Sequence, residues 1–554
     1  MPSQKPSKTK EDALEKKLRE IQFKQAENEY RSLAGKFNLP FSSLKGVPVD
    51  SDSLNIINEE TARRSHLVIL YKSPPKLFVA LTDPDNQETK KTLELLKGMN
   101  FVLEMMITTP EALERIWDRY KQSNKPKIFE VGAIELDEQE LIRLQSEIRD
   151  LNDLKLKIVN VSVTKLLEIL MAGALKTRAS DIHFEPERTN ARLRYRLDGI
   201  LYDVSSIETA YYGKILNRIK ILSKLKLNIH GPQEGRFSVR QKNTNIDLRI
   251  SILPSEFGET VVMRILDPIN VKGSLEDLGL RKDFEEFVKL QLKKNTGTVL
   301  VSGPTGAGKT TTLYALVNFI NSSRNKILTI EDPIEYHITG ISQSQVDASK
   351  GYTFANGLKI IMRQNPDVIL VGEIRDAETA DISLNASLTG HLVLTTIHAN
   401  NAAGAIPRLI DLHIKPEVIA PALNLVISQR LIRKLCDNCK VLKNPTADDL
   451  EKIKTVLGPV REKFKLPPLD SSLKIYYPDK CIKCNSIGYI GRIAAFEGFR
   501  VSKDFEKKLM TGSFIISDIN DLLVSEGMIT MLQDACLKLL QGITSTEEIE
   551  RVFG

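Results

Sequence analysis

The run Gly303-Pro304-Thr305-Gly306-Ala307-Gly308-Lys309-Thr310, with Thr311 extending it, has the spacing G-x-x-x-x-G-K-[ST]. Glycines there let the backbone curl until its N–H groups face phosphate oxygens, and a helix starting at the same place adds a dipole that favours negative charge. Lys309 would neutralise the β- and γ-phosphates of ATP, and the Thr310 hydroxyl would ligate Mg2+. Hydrolysis also needs a carboxylate that handles water, and two glutamates close successive apolar runs. Ile327-Leu328-Thr329-Ile330 delivers Glu331, and Val368-Ile369-Leu370-Val371-Gly372 delivers Glu373. Glu373 is expected as general base and Glu331 as organiser of water and metal, with purely structural acids as the alternative. Gly372 stands where a magnesium-holding aspartate is common. His391 and His398 flank a third apolar run, Leu392 to Thr396; His398 is the better candidate for sensing a γ-phosphate, against a plain core histidine. Four of the five cysteines fall in Cys436-x-x-Cys439 and Cys481-x-x-Cys484, the thiolate set of a closed tetrahedral Zn2+ site. The long insert between the pairs is no strong objection, because loop-closure cost grows only logarithmically; unligated thiols are the alternative, and Cys536 reads as a small core residue.

These residues need elements to hold them. From residue 273 to 554, helices alternate with buried-type strands at Thr298 to Ser302, Ile327 to Ile330, Val368 to Val371 and Leu392 to Thr396, which predicts an α/β domain with a parallel sheet. In such sheets ligands gather at the carboxyl ends of the strands, where both glutamates are expected. Residues 159–272 form a preceding α+β domain whose strands, such as Ala191 to Arg196 and Val261 to Leu266, alternate apolar residues with arginine; a solvated sheet face is the plain reading. Residues 35–125 form a smaller α+β domain with strands at Leu67 to Leu70 and Leu77 to Leu81, followed by the turn Asp83-Pro84-Asp85-Asn86. Residues 1–34 carry Leu14, Leu18, Ile21 and Tyr30 at helical spacing in a charged background. Residues 126–158 read as a helical linker with Leu141, Leu144, Ile148 and Leu151 on one side.

Length and composition narrow the class. A chain of 554 residues with 42% hydrophobic and 27% charged residues can bury several cores. A charge surplus of +7 is thin for a chain devoted to nucleic acid, so no direct nucleic-acid partner is expected. No apolar run approaches the roughly 20 residues of a membrane-spanning helix, and Met1 to Lys10 is polar where a signal peptide turns apolar. The expectation is a cytoplasmic protein that reaches a membrane only through partners.

Three further segments carry a resemblance. Ile327 to Tyr336 (ILTIEDPIEY), Arg363 to Asp376 (RQNPDVILVGEIRD) and Thr389 to Asn400 (TGHLVLTTIHAN) resemble the Asp box, Walker B and His box of the secretion-type ATPases that drive assembly of type IV pili and of the type II secretion pseudopilus. Asn365 replaces the aspartate common before Pro-Asp in that Walker B. Ala179 to Pro186 (ASDIHFEP) and Asp247 to Leu266 resemble the family's second, PAS-like N-terminal domain, and Cys481 to Arg492 resembles half of its tetracysteine module, 436–484 here. The first domain is less similar, through Ala34 to Leu44, Ala62-Arg63-Arg64 and Val79 to Asn86. The resemblance implies a RecA-like ATPase domain, catalytic roles for Arg249 and Arg264 presented from the neighbouring domain, a homo-hexamer, and partners in an inner-membrane platform protein with pilin or pseudopilin subunits. Some relatives bind cyclic di-GMP through a motif that begins Arg-Leu-Gly; none occurs here, so that control is not expected. A pilus-retraction ATPase, a conjugation-type DNA-translocating ring ATPase and a nucleotide-binding scaffold without catalysis are the alternatives. The first normally lacks the cysteines, the second calls for a basic channel, and the third would tolerate damage at Lys309 or Glu373.

Overall fold

The computed structural model describes residues 25–122 apart from 45–46, 48, 50, 55, 74–75 and 99–100; residues 133–266 apart from 136–137, 149, 159–160 and 241–244; and residues 274–510 and 516–554. The chain divides into two compact units, Met1–Glu130 and Val131–Gly554. Leu14, Leu18 and Ile21 lie outside the described residues, whereas residues 25–36 are helical and Tyr30 packs on the first unit's core.

That unit is built on β1 (Leu67–Ser73), β2 (Lys76–Leu81) and β3 (Val102–Ile107), antiparallel then parallel. Both apolar runs expected as strands are strands. Trp117 and Tyr120, on the helix Pro110–Gln122, are buried against them. Their polar tips donate to the carbonyls of Leu67 (3.3 Å) and Leu54 (2.8 Å), as buried aromatic N–H and O–H groups must.

The second unit holds two seven-stranded sheets. The first comprises β4 (Ala133–Glu135), β5 (Asp181–Pro186), β6 (Asn190–Leu197), β7 (Ile200–Glu208), β8 (Gln233–Arg240), β9 (Asn245–Ser255) and β10 (Gly258–Leu266), in the order β4-β8-β9-β10-β5-β6-β7. On β6 the two-residue period buries Ala191, Leu193, Tyr195 and Leu197 and turns Arg192, Arg194 and Arg196 to the other face. The helices Val163–Thr177 and Thr209–Leu222 cover the apolar face through Leu166, Leu170, Ile215 and Ile219. Residues 126–158, read from sequence as a linker, contribute β4, paired with β8, and bury Leu141, Leu144 and Ile148 in this same core. An apolar helical stripe needs a cover, and the neighbouring lobe supplies it.

The second sheet comprises β11 (Gly297–Ser302), β12 (Ile327–Glu331), β13 (Ser342–Gln345), β14 (Val368–Val371), β15 (Leu392–Ile397), β16 (Leu423–Leu435) and, after the small hairpin β17 (Val441–Lys443) and β18 (Ile475–Tyr477), β19 (Tyr489–Phe499). Its order is β13-β12-β14-β15-β11-β16-β19, parallel except for the edge strand β19. The central strands are buried along their whole length, as strands covered on both faces must be. The C-terminal helix Thr546–Phe553 pins β16 through Glu548. Its carboxylate, 0% exposed, accepts from the Arg433 N–H (2.9 Å) and Nε (2.8 Å) and from Arg551 (2.6 and 2.8 Å).

The two lobes touch beside the cysteines. At the turn between β6 and β7, Asp198 accepts the Gly491 N–H (2.7 Å); nearby, Arg433 donates to the Tyr202 hydroxyl (3.3 Å) and Ile487 packs on the first lobe's core. Among the described residues no helix is long and apolar enough to cross a membrane.

Candidate functional site

The run Gly303 to Gly308 leaves β11 and enters the helix Lys309–Ile320, the strand-loop-helix context that a phosphate loop requires. Two glycines are demanded by geometry. Gly308 precedes the helix at φ 85°, in the left-handed region, and a Cβ at Gly303 (φ 151°) would lie 2.7 Å from the Gln429 carbonyl oxygen. Gln429, buried on β16, braces the loop from beneath: its Nε2 donates to the Ala307 carbonyl and its Oε1 accepts from Thr312, both at 2.7 Å. Lys309 Nζ donates to the carbonyls of Gly303 (2.8 Å) and Pro304 (3.2 Å). Burial lowers the Lys309 pKa, and the negative charge of Glu373 acts in the opposite direction. Pro304, Thr305, Gly306 and Thr310 are exposed, Thr311 is half-buried and Ala307 is buried.

Glu373 follows β14 at the carboxyl ends of the strands. Its carboxylate is paired with Arg375, which also reaches Asp332 at 3.4 Å, and lies 3.3 Å from His398 Nε2. His398 is therefore brought to Glu373. His391 is not: it sits at the opposite end of β15, its Nδ1 3.0 Å from the Ala386 carbonyl. Gly372, in place of an aspartate, donates its N–H to Ile330 (2.8 Å), and a Cβ there would come within 3.4 Å of Glu331 Cα.

Glu331 ends β12 and is 3% exposed. Its carboxylate accepts from the Thr329 hydroxyl (2.5 Å), the Gln343 amide (3.2 Å) and the Tyr314 hydroxyl. Any handling of water or metal by Glu331 thus starts from a carboxylate that three protein donors already orient.

The arginines stand in a row across the first sheet. Arg236, Arg249 and Arg264 are direct cross-strand neighbours on β8, β9 and β10, followed by Asp181 on β5 and Arg196 on β6. Like charges placed directly opposite destabilise a sheet, and a carboxylate answers them here: Asp181 lies 3.0 Å from Arg264 and 3.4 Å from Arg196. Arg249 is drawn to the second lobe, where Glu335, in the loop after β12, accepts from both its terminal nitrogens (3.1 and 3.4 Å). Arg264 is 62% exposed and held by Asp181 at 3.0 Å, so the structure groups it with its own sheet rather than with the phosphate loop.

Cys436, Cys439, Cys481 and Cys484 converge, with all four sulfurs within 4.8 Å of one another and neighbouring pairs at 3.6, 3.7 and 3.8 Å. Disulfides would need about 2.05 Å. Four Zn–S bonds of about 2.3 Å make a tetrahedron with edges of about 3.8 Å, so the donor set fits zinc. The Gly488 N–H donates to the Cys484 sulfur (3.2 Å), as it would to a thiolate ligand.

Sequence reasoning missed Tyr314, Gln343, Gln429, Glu335, Asp332 and Arg375. The last three lie inside the segments that carried the resemblance and could have been picked out there.

Residues 159–551 match the family described as type II/IV secretion system protein, and residues 37–126 match the MshEN domain. The chain is 33% identical over 519 residues to the type IV pilus assembly ATPase PilB of Myxococcus xanthus, covering 93% of this chain and 89% of that one. It is 34% identical over 510 residues to the type II secretion system protein E of Dickeya dadantii, covering 91% and 98%. Among solved structures, the Legionella pneumophila ATPase DotB superposes with a TM-score of 0.52 at 21% identity, covering 71% of this chain and 96% of DotB, a likeness of fold.

Proposed function

The chain belongs to the type II/IV secretion system protein family and is an ATPase, and from that premise we propose that it is a motor coupling ATP hydrolysis to assembly of type IV pilus or type II secretion pseudopilus subunits. The observation that carries this reading is the pair Arg249–Glu335, which lands an arginine of one lobe on the loop after Glu331 in the other. A cation that can exchange a carboxylate for the γ-phosphate links charge stabilisation during hydrolysis to lobe movement.

Lys309 and the loop N–H groups hold the phosphates, with Thr310 as the Mg2+ ligand. Glu373 takes the proton from the attacking water, Glu331 orients that water, and His398, beside Glu373, reports the γ-phosphate. Arg249 and Arg264 contribute positive charge as the lobes close. The motor works as a cytoplasmic homo-hexamer that pushes an inner-membrane platform protein.

A strain lacking the chain should lose its pilin-like filaments or secretion, and the wild-type chain should restore them while the Lys309→Ala, Arg249→Ala and Arg264→Ala variants fail. Restoration by the Lys309 variant would overturn the motor reading.

The four cysteines hold one Zn2+, which supplies a structural cross-link. Metal analysis of protein purified without chelator should find about one zinc per chain, and its removal should lower the unfolding midpoint. A metal-free preparation with unchanged stability would remove the assignment.

A further inference from the structure

We propose that Tyr314 is a positioning residue for ATP hydrolysis, its hydroxyl fixing the Glu331 carboxylate. The proposal rests on the reading of Glu331 as organiser of the attacking water. Tyr314 lies on the helix that Lys309 opens and is 0% exposed. Its hydroxyl donates to Glu331 Oε2 and accepts the Glu335 N–H at 3.3 Å. A phenol has one proton to give, so these two partners fix its direction. Burial first, and then the bond to Glu331, push its pKa well above the ordinary value, which keeps it a donor.

The surroundings explain why a tyrosine is needed. Its ring packs edge-on to Tyr336, centroids 4.4 Å apart, within an apolar cluster that a phenylalanine would fill equally well. A buried hydroxyl is costly unless it bonds, so its presence points to the carboxylate it meets. Thr329 and Gln343 both bind Glu331 Oε1, which leaves Tyr314 to hold Oε2 and so set the carboxylate plane. The Tyr314 hydroxyl oxygen also accepts the backbone N–H of Glu335, whose side chain holds Arg249. Arg249, Glu335, Tyr314 and Glu331 thus form one contiguous chain of polar contacts from the first sheet to the end of β12.

The test compares Tyr314→Phe, Glu331→Gln and the double variant, as full-length protein, by phosphate release across ATP concentrations with circular dichroism alongside. Tyr314→Phe should lower kcat about ten- to a hundredfold, keep KM within about twofold and leave the dichroism unchanged. The double variant should be no slower than Glu331→Gln alone, because both changes act through one carboxylate. An unaltered kcat in Tyr314→Phe, a rise in KM alone, or losses that multiply in the double variant would each overturn the proposal. Full turnover by Glu331→Gln would instead overturn the reading beneath it, an outcome visible without the Tyr314 variant.

Discussion

Replacing Glu373 with glutamine is expected to leave ATP bound and bring steady-state phosphate release down by about 10²- to 10⁴-fold, the contribution of a positioned general base. The substitution preserves shape and removes only the proton acceptor. Arg375 is 56% exposed, so water compensates it when its partner becomes neutral, and the fold is spared. Lys309 keeps both carbonyl contacts, which are independent of Glu373. The two readouts are equilibrium binding of a fluorescent ATP analogue and phosphate release; normal turnover would take Glu373 out of the base role, and lost binding would make it a structural part of the cradle.

The largest effect on stability is expected at Glu548. Glu548→Ala leaves Arg433, almost wholly buried, without its carboxylate, and breaking a buried pair from one side costs about 3–5 kcal/mol. Denaturant unfolding should show a correspondingly earlier midpoint. The pH dependence follows from the same contacts. Burial pushes the Glu548 carboxyl up, but Arg551 and Arg433 outweigh it and hold the group below its ordinary value. A carboxyl depressed in the folded state contributes stability that is fully present above its unfolded pKa, about 4.3, and is lost as pH falls through the folded value. The wild type should lose this increment on acidification and the alanine variant should not; parallel acid curves for the two proteins would count against the assignment.

Local patterns in the chain were the most legible. The run Gly303 to Thr310 and the glutamates at strand ends are continuous stretches whose places in the sheet follow from local spacing, and the parallel strands betray themselves by unbroken apolar runs. The cysteine pairs name one another because few other uses call for two such pairs. Alternation on β6 and β10 shows that the arginines share a face, yet it is silent about which carboxylate waits there. Arg264 meets Asp181 and Arg249 meets Glu335 only because the sheet register and the second lobe bring distant segments together. Gln429 and Tyr314 look like ordinary strand and helix residues until the fold sets them under the phosphate loop and against Glu331. Similarly, the stripe of Leu141, Leu144 and Ile148 announces that something covers it, not what.

The contacts at Asp198, Tyr202 and Ile487 give the cysteine knuckle a mechanical standing that its distance from the chemistry would not suggest. The arginine-bearing sheet cannot turn away from the ATPase lobe without unfastening them together, at about 1 kcal/mol for each hydrogen bond. The knuckle is a clasp that fastens one sheet of the second unit to the other.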